Sequence, residues 1–583
     1  MFKFLDSGDR FYYIILMKLL FMLILMATLA NSQKGFGAKI NQIGYGEQAA
    51  KIFVHEDTEA SYVEFRDLAN GNTVLKTPLS APAVWEFSGE TVRKADFSGL
   101  KKGVYAAYIN GKRVSDNIVV QNNVYEDVFR ASLKWFYYQR AGLALAPEFA
   151  GKWARSAGHL DTAVYYYPES EAPEGWKISS PKGWYDAGDY GKYIVNSGIS
   201  VFTILQIYEH FEKEVKKLSL NIPESKSKTP DILEEVRWNL DWMLTMQDSD
   251  GGVYHKLTTA RFCGHIMPDA DNMKRYVVMK TTPAALDFAA NMAQAARIYK
   301  SFDAKFSANA LKAAERAFDW AIKNPSILFK QPDGMNTGPY HSNGTTKDEF
   351  LWAAAELYTT TKKDIYMQTI NSIPFTTNAP WWGDVNFLAV YRLSDSKSGF
   401  NKNLTKAAQD TLLVLANMLK DLSENSAYGL PIFKWNWVWG SNSVVANNGI
   451  VLLHAYYLTK DKSYLAGAQR ALDYLFGANP LDISYVTSYG NRTPIDPHHR
   501  SSESDGIFEP VPGMLVGGPH EGGQDVKPSN CDNYVQKGKP ALGYIDHRCS
   551  FASNEVAINW NASLAYLAGA LHFLNNSHFP KVK

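Results

Sequence analysis

The chain has 583 residues, with 60 Lys and Arg against 59 Asp and Glu. The net charge of +1 gives no basic surface for nucleic acid or for an anionic membrane, and argues against both as partners. Hydrophobic residues make up 46% and charged residues 20%, which excludes a disordered chain and predicts a large buried core.

The amino terminus contains an apolar run, residues 11–30, followed by small and polar residues. If translation starts at Met17, Lys18 is the positive region and residues 19–29 the apolar core of a secretory signal. A retained anchor is the alternative, but it needs about 20 uninterrupted apolar residues. We therefore favour a cleaved segment, residues 1–33, and expect an exported protein, periplasmic or secreted, with no membrane span in the mature chain.

Only three cysteines are present: Cys263, Cys531 and Cys549. They are too few for a disulfide scaffold but are compatible with one disulfide and one free thiol in an oxidising compartment. Spacing alone does not tell whether Cys531 pairs with Cys549.

Residues 36–121 alternate between apolar and polar side chains over short segments. About six or seven strands fit this region, and Asn110-Gly111 is typical of a tight hairpin turn. This pattern predicts a β-sandwich of immunoglobulin-like size. From Val124 onward the period becomes helical, so we place a second domain at residues 124–579.

Helix starts in the second domain are marked by capping residues. For example, Thr229 is predicted as an N-cap, with Pro230 and Asp231 in the first turn before an apolar face. About twelve helical stretches are predicted, which fits antiparallel helical hairpins closing into a toroid. A stacked solenoid has similar patterns, but no fixed period of 30 to 45 residues is present. The connector between Phe476 and Glu555 has no convincing helix, and connectors this long are usually functional.

Two aspartates flank Ala187-Gly188 just before a helical stretch. Asp189 could simply cap that helix while Asp186 belongs to the turn. Alternatively, the turn directs both carboxylates at one point, where they can orient and deprotonate a water molecule.

Asp546 and Glu555 stand at the end of the long connector. A glutamate in the first helical turn is ordinarily an anion stabilised by the helix dipole. If Glu555 is a general acid, burial or a nearby carboxylate must raise its pKa, at about 1.36 kcal/mol per unit. In the same connector, His498 and Arg500 are two residues apart and fit hydroxyl binding better than metal binding.

These segments together resemble glycoside hydrolase family 9. Residues 484–500, SYVTSYGNRTPIDPHHR, are similar to the family's first signature, and residues 544–562 carry the residues of its second. The Asp-Ala-Gly-Asp turn and the Trp-Gly-Ser-Asn at 439–442 are also similar to family segments. The front sandwich resembles the immunoglobulin-like domain that precedes many members.

The resemblance implies an (α/α)6 barrel and a role for each matching residue. Asp189 would be the general base and Asp186 would help to hold the attacking water. Glu555 would be the general acid, and Asp546 would support its loop. His498 and Arg500 would bind sugar hydroxyls. Since the family inverts the anomeric centre, the Asp189 and Glu555 carboxyls are expected about 6.5–9.5 Å apart.

Aromatic residues make up 13% of the chain, and several tryptophans fall in connectors. Each is as compatible with the core as with a sugar-binding surface, except Trp439 and Trp560, which lie inside family segments. We expect those two to line the cleft and to bind substrate.

One departure from the family concerns zinc. The resemblance implies cysteine ligands at positions that here are Ala141 and Gly158, and His159 alone is insufficient, so we predict no zinc. A structural calcium ion is possible, although Asp248-x-Asp250-Gly251 lacks the EF-hand spacing and is interpreted as a turn. No cofactor is required by this interpretation.

The leading hypothesis is an exported, inverting endo-β-1,4-glucanase, expected as a monomer, that acts on cellulose-like chains, xyloglucan or mixed-linkage glucan. An exo-acting relative, such as an exo-β-glucosaminidase or a cellodextrin-releasing enzyme, is the enzyme alternative. A glycan-binding protein without activity is the alternative from another class, which intact Asp189 and Glu555 argue against.

Overall fold

The computed structural model describes residues 36–340 and 344–576. The predicted signal segment, residues 1–33, lies outside this described part of the chain. Within the described part, no helix has both the length and the hydropathy that crossing a bilayer requires.

Nine strands form the amino-terminal β-sandwich. They are β1 (Ala38–Lys39), β2 (Ile52–Glu56), β3 (Tyr62–Asp67), β4 (Thr73–Pro78), β5 (Ala83–Val84), β6 (Thr91–Asp96), β7 (Gly103–Ile109), β8 (Lys112–Arg113) and β9 (Ile118–Val120). One sheet has the order β1-β2-β6-β5, and the other has β4-β3-β7-β8 with β9 beside β7. Phe65 packs on Phe53 and Phe97 between the sheets, where all three rings are buried. The predicted immunoglobulin-like sandwich is confirmed.

Two strands of the sandwich were not predicted. β4 reads TVLKTP and β6 reads TVRKAD, and neither has enough apolar residues to show a clear alternation. The hairpin turn, by contrast, is confirmed. Asn110 and Gly111 have φ of 49° and 77°, and they join Ile109 of β7 to Lys112 of β8.

The remainder of the described chain is dominated by twelve long helices, the number that the sequence predicts. They are α1 (Glu126–Tyr138), α2 (Ile194–Val215), α3 (Asp231–Thr245), α4 (Thr282–Tyr299), α5 (Ala304–Lys323), α6 (Lys347–Thr361), α7 (Asp364–Ser372), α8 (Asn386–Ser394), α9 (Lys402–Asn425), α10 (Ser441–Thr459), α11 (Lys462–Leu475) and α12 (Ile558–Asn576).

Even-numbered and odd-numbered helices differ in burial. The even-numbered helices are buried on nearly all sides, whereas odd-numbered helices such as α5 and α9 bury one face only. Neighbouring even-numbered helices contact each other. For example, α12 contacts α2, and α2 contacts α4. An inner ring is thus enclosed by an outer ring, which is the (α/α)6 barrel that the sequence predicts.

A small sheet lies beside the barrel. Its strands are β10 (Tyr165–Tyr167), β11 (Lys192–Tyr193), β12 (Lys256–Thr259) and β13 (Arg275–Val278), in the order β10-β13-β12-β11. Because β11 runs directly into α2, this sheet holds the chain that carries Asp186 and Asp189.

The sandwich packs directly on the barrel. Trp85 lies 4.4 Å from Tyr428 between ring centroids, and Phe87 lies 5.3 Å from Trp437. In addition, the Phe87 carbonyl accepts a hydrogen bond of 3.0 Å from the Ala541 N–H. The segment after β5 therefore contacts the barrel both between α9 and α10 and in the long connector.

The long connector folds without long helices, as predicted. It contains one five-residue helix, Arg500–Ser504, and one three-residue 3-10 helix, Pro540–Leu542. Cys531 and Cys549 form a disulfide with a Cα separation of 5.5 Å, which settles the pairing that spacing left open. Cys263 is a free, partly buried thiol.

Candidate active site

The Asp186–Asp189 turn approaches the long connector so closely that it requires glycine. A Cβ atom on Gly188 would lie only 2.1 Å from the carbonyl oxygen of His498. The same close approach lets the Gly188 carbonyl accept a hydrogen bond of 3.1 Å from the Arg500 N–H. A side chain at this position would separate the two segments.

The Asp186 carboxylate is held from two sides. Asn196, in the first turn of α2, donates a hydrogen bond of 2.6 Å to Oδ1, and the Tyr340 hydroxyl donates to Oδ2. Burial, followed by the nearby Asp189 carboxylate, raises the pKa of Asp186 to about 8. Two adjacent carboxylates repel each other, so one of them holds a proton near neutral pH.

The Asp189 side chain is 7% exposed. Its Oδ2 accepts a hydrogen bond of 3.0 Å from the Gly191 N–H and one of 3.4 Å from the Tyr193 hydroxyl. Helix α2 begins at Ile194 with Tyr193 as its N-cap, so Asp189 does not cap that helix. Helix capping, the alternative role considered for Asp189, is therefore excluded.

A small recess lies beside Asp189. It is lined by residues from the turn, from β12, and from the segments that follow β12 and precede α6: Asp189, Tyr190, Gly191, Thr258, Thr259, Phe262, Cys263, Asp271 and Thr337. Phe262 is 41% exposed, so an aromatic ring faces solvent at the mouth of this recess.

Glu555 lies in an extended segment, not in a helix. Its backbone pairs in parallel with that of His498, and α12 begins three residues later at Ile558. The prediction of a helix starting at 555 is wrong in this detail, so the helix dipole does not act on Glu555 as a first-turn residue. The Ile558 N–H donates a hydrogen bond of 2.8 Å to the Asp186 carbonyl, which ties the two segments together.

The Glu555 carboxylate meets the aspartate turn. The Gly188 backbone, between the two aspartates, lies close enough to lower the pKa of this carboxylate. Burial, and then the Asp189 and Asp186 carboxylates, raise the pKa of Glu555 well above its ordinary value, against the opposing effect of Arg500. The structure thus brings the three acidic groups of the prediction into one cluster.

His498 and Arg500 lie beside the same cluster, and their side chains make different contacts. Burial lowers the pKa of His498 to about 4, so its ring is neutral near pH 7. Its Nδ1 donates to the Arg548 carbonyl at 2.5 Å, which leaves Nε2 as an acceptor. Arg500 donates from Nη1 to the Gly188 carbonyl at 2.9 Å, so its guanidinium group also fixes the aspartate turn.

Asp546 connects the two halves of the connector. Its carboxylate accepts hydrogen bonds from the N–H groups of Ile495 and Asp496, at 2.8 and 3.0 Å, and from the Asn554 side chain at 3.1 Å. Asn554 immediately precedes Glu555. The arrangement fits the predicted support of the Glu555 loop.

The two tryptophans predicted to bind sugar differ in their exposure to solvent. Trp439 is 42% exposed and lies 5.0 Å from the Phe551 ring, so one face is available to a ligand. Trp560 is only 8% exposed, with its ring against Gly440 and Gly517. Because stacking on a sugar needs a free ring face, the structure leaves Trp560 a packing role and retains Trp439 as the candidate.

Sequence reasoning missed Tyr340 and Asn196. Asn196 is one of several polar residues in a largely buried helix, and Tyr340 follows a stretch without regular structure. Tyr340 has φ of 43°, a backbone conformation that is rare for an aromatic residue. No local pattern in the sequence indicates that either side chain contacts Asp186.

The position suggested for zinc does not fit that metal. Ala141 and Gly158 offer no donor, and a Cβ on Gly158 would lie 2.4 Å from the Pro268 backbone. His159 is instead hydrogen-bonded to the Tyr185 hydroxyl at 2.9 Å and to Asp271 at 3.3 Å. Across residues 36–340 and 344–576, no group of three or more His, Cys, Asp or Glu side chains could hold a metal ion.

The Asp248-x-Asp250-Gly251 segment is a turn, closed by a hydrogen bond of 3.0 Å from the Gly251 N–H to the Asp248 carbonyl. Lys280 Nζ lies 2.8 Å from a carboxylate oxygen of each aspartate. A lysine therefore occupies the space between the two carboxylates that a calcium ion would need.

Two family models match the chain. The model for glycosyl hydrolase family 9 matches residues 125–568, and the model for a cellulase N-terminal ig-like domain matches residues 37–113. Together they cover the barrel and the sandwich.

Characterised relatives match over most of their length. The chain is 39% identical over 560 residues to the xyloglucan-specific endo-beta-1,4-glucanase BoGH9A of Bacteroides ovatus, covering 92% of this chain and 94% of the relative. It is 32% identical over 555 residues to endoglucanase D of Acetivibrio thermocellus, covering 93% and 84%. A solved Bacteroides ovatus GH9 structure superimposes with a TM-score of 0.86 at 38% identity, covering 93% of this chain and 99% of that one.

Proposed function

The chain belongs to glycosyl hydrolase family 9 and is an endo-β-1,4-glucanase of the cellulase type, and we propose that it is exported and hydrolyses xyloglucan or a related β-glucan with inversion. The observation that carries this proposal is the single cluster formed by Asp186, Asp189 and Glu555. In it, the Glu555 backbone pairs with that of His498, whose carbonyl oxygen lies directly against Gly188, between the two aspartates.

Asp189 is the proposed general base. Burial and the Asp189 carboxylate raise the pKa of Asp186 to about 8, against the opposing effect of the hydrogen bonds that Tyr340 and Asn196 donate, so Asp186 is the member of the aspartate pair that holds the proton. Asp189 is then free to act as the carboxylate that deprotonates a water molecule. In an inverting reaction, this water attacks the anomeric carbon from the face opposite the leaving group.

Glu555 is the proposed general acid. A general acid must be protonated before it meets the substrate, and burial with two neighbouring carboxylates favours the protonated form. The backbone pairing with His498 fixes its position, and Asp546 holds the segment just before it through Asn554. Glu555 would give its proton to the departing glycosidic oxygen.

His498 and Trp439 are the proposed contacts to the sugar. The neutral His498 ring presents Nε2 as an acceptor for a sugar hydroxyl, and the exposed face of Trp439 suits the flat apolar face of a glucosyl unit. Arg500 holds the aspartate turn through Gly188 and also lowers the pKa of Glu555.

Xyloglucan is proposed because BoGH9A, which shares 39% identity over nearly the whole chain, is named as specific for that polymer. The test is a panel of xyloglucan, barley glucan and carboxymethylcellulose, with viscosity and reducing ends followed together. We expect turnover on xyloglucan with a viscosity drop that outpaces reducing ends. Steady release of one small product would indicate exo action, and binding without hydrolysis would indicate a glycan-binding protein.

Export is proposed from the apolar run at residues 11–30 and its small-residue flank. Fractionation of expressing cells, with amino-terminal sequencing of the product, is expected to give a chain that starts near residue 33 outside the cytoplasm. An intact amino terminus retained in the membrane would contradict this part of the proposal.

A further inference from the structure

The backbone of the aspartate turn is bound from outside the turn. The carbonyl groups of residues 185–188 all accept hydrogen bonds from other segments of the chain. Two of these carbonyls, one on each side of Asp186, accept from the same side chain. Gln139, which is 1% exposed, donates from Nε2 to the Tyr185 carbonyl at 3.3 Å and to the Ala187 carbonyl at 3.0 Å. One amide group thus binds both residues that flank Asp186.

The backbone of Gln139 is itself fixed. Gln139 is the residue at which helix α1 ends, and its N–H donates to the Trp135 and Phe136 carbonyls at 3.2 and 3.1 Å. Its own carbonyl accepts a hydrogen bond of 2.7 Å from the Tyr185 N–H. Because Trp135 and Phe136 are completely buried, the end of α1 is a rigid support for the Gln139 side chain.

The other end of the Gln139 amide meets His499 of the long connector. Carbonyl oxygens only accept, so the Gln139 amino group faces the turn and its Oε1 faces His499 Nε2, which is 3.0 Å away. His499 therefore carries its proton on Nε2, and its Nδ1 accepts from the Ser502 hydroxyl at 2.9 Å. The Ser502 oxygen in turn accepts from the Val511 N–H at 3.4 Å, which leaves its proton for His499.

His499 stays neutral in this arrangement. It is 2% exposed, and burial lowers the pKa of its ring to about 3. The preceding residue, His498, pairs through its backbone with Glu555. The contact between Gln139 and His499 therefore joins the turn that carries Asp189 to the segment that carries Glu555.

We propose that Gln139 and His499 are positioning residues that set the orientation of the aspartate turn, so that the water bound by Asp186 and Asp189 is aligned for attack. This inference rests on the proposed function, since it assumes that Asp189 is the base. Both side chains are too deeply buried to contact the substrate. Their effect falls on the base side of the reaction, because the hydrogen bonds of Gln139 end on the turn.

The test compares kcat and KM on the polysaccharide and on dinitrophenyl β-cellobioside, whose leaving group departs without protonation. Gln139→Met keeps the length of the side chain and removes both of its polar groups. We expect its kcat to fall about 10- to 100-fold on both substrates, with KM within about twofold of the wild type, because a small misplacement of a reacting group has this effect. All rates are measured well below the melting temperature of each variant.

Two variants of His499 test the same hydrogen bond from its other end. His499→Leu removes the ring N–H, whereas His499→Gln keeps an N–H donor at about the distance of Nε2. We expect His499→Leu to lose kcat on both substrates and His499→Gln to stay within about threefold of the wild type. The double variant of Gln139→Met and His499→Leu is expected to lose no more than the larger single loss, because the two residues act as a unit.

A matched control separates orientation from packing. Gln469 on α11 is 2% exposed and donates to the Tyr125 hydroxyl and the Asp473 carboxylate at 2.8 Å each. Gln469→Met is expected to lower the melting temperature and to leave kcat unchanged. Asp546→Asn is the control for the acid side, and it is expected to lose kcat on the polysaccharide while keeping most of its activity on the aryl substrate.

The inference is overturned if folded Gln139→Met keeps the wild-type kcat on the aryl substrate, if its loss is confined to the polysaccharide, or if Gln469→Met loses as much. Should Gln139→Met fail to fold, the two His499 variants decide. A loss in His499→Leu on both substrates that His499→Gln restores supports the inference, and any other result contradicts it. A wild type that hydrolyses neither substrate is a failure of the proposed function instead.

Discussion

The carboxyl groups of Asp186, Asp189 and Glu555 lie close together. The protonation states of these side chains determine the pH range of hydrolysis. Glu555 must be protonated to act as the acid, and its pKa is raised well above the ordinary value. Activity is therefore expected to persist above the ordinary glutamate pKa and to fall as the pH rises through this raised pKa. The measurement is the alkaline limb of kcat/KM, which would contradict the account if it lay below about pH 5.

The alkaline limb of kcat/KM also tests the effect of Arg500 on Glu555. Arg500 lowers the pKa of Glu555, so the variant Arg500→Gln is expected to move the alkaline limb to higher pH. Its kcat is also expected to fall, because the hydrogen bonds from the guanidinium group to the Gly188 and Cys263 carbonyls are lost. A limb that moves to lower pH would show that the cation does not act on Glu555.

Gln42 is one of the residues that join the sandwich to the barrel. Gln42 is 7% exposed, donates to the Asp482 carbonyl at 2.9 Å, and accepts from the N–H groups of Asn491 and Arg492 at 2.8 and 3.0 Å. Gln42→Ala is expected to cost about 1–3 kcal/mol of unfolding free energy, because the N–H groups of Asn491 and Arg492 lose their acceptor. Denaturant unfolding measures this cost. The exposed Gln121→Ala is the control and is expected to change stability by less than about 0.5 kcal/mol.

At the scale of elements, the disulfide restrains the connector just before Glu555. Cys531 and Cys549 are 18 residues apart, a loop for which chain entropy predicts about 3 kcal/mol of stabilisation. Cys531→Ser is expected to lower the melting temperature and to make the segment between the two cysteines sensitive to protease. Reductant should reproduce both effects in the wild type and change nothing further in the variant. Identical melting curves would show that the disulfide does not restrain this region.

How well an element could be predicted depended on how it is buried. The twelve helices follow from apolar periodicity because each buries at least one face. Helix α3 begins at Asp231 with Pro230 as its N-cap, one residue later than the predicted start at Pro230 with Thr229 as N-cap. Strands β4 and β6 were missed because β4 has no buried residue and β6 has only two, so neither shows a clear apolar alternation. Glu555 was placed in a helix because the apolar residues after it continue the helical pattern.

The acidic residues of the site were predictable, but their surroundings were not. Asp186, Asp189 and Glu555 stand in recognisable local segments. Tyr340 reaches Asp186 from the segment before α6, which Lys256 of β12 binds at Thr337 and Gly338, and β12 pairs with β11. Contacts between residues so far apart in the chain leave no periodic or local signal in a single sequence.

At the scale of the whole molecule, the sandwich and the barrel are expected to unfold together. Their interface contains aromatic packing, such as Trp85 on Tyr428, and buried polar groups whose partners lie across the interface, such as Asn41 with Asp473. Separation would expose those polar groups and lose the packing. Calorimetry is expected to show one transition, and Trp85→Ala to lower its temperature. Two well-separated transitions would mean that the sandwich does not stabilise the barrel.

The proposed division of labour between Glu555 and Asp189 is tested most directly by varying the leaving group. An aryl glycoside such as dinitrophenyl β-cellobioside needs no protonation to depart, whereas a sugar does. Glu555→Gln is expected to lose about 10²–10⁴ in kcat on the polysaccharide but to keep most of its activity on the aryl substrate. Asp189→Asn is expected to lose activity on both. If Glu555→Gln lost both activities equally, or if Asp189→Asn kept either one, the assignment of acid and base would be contradicted.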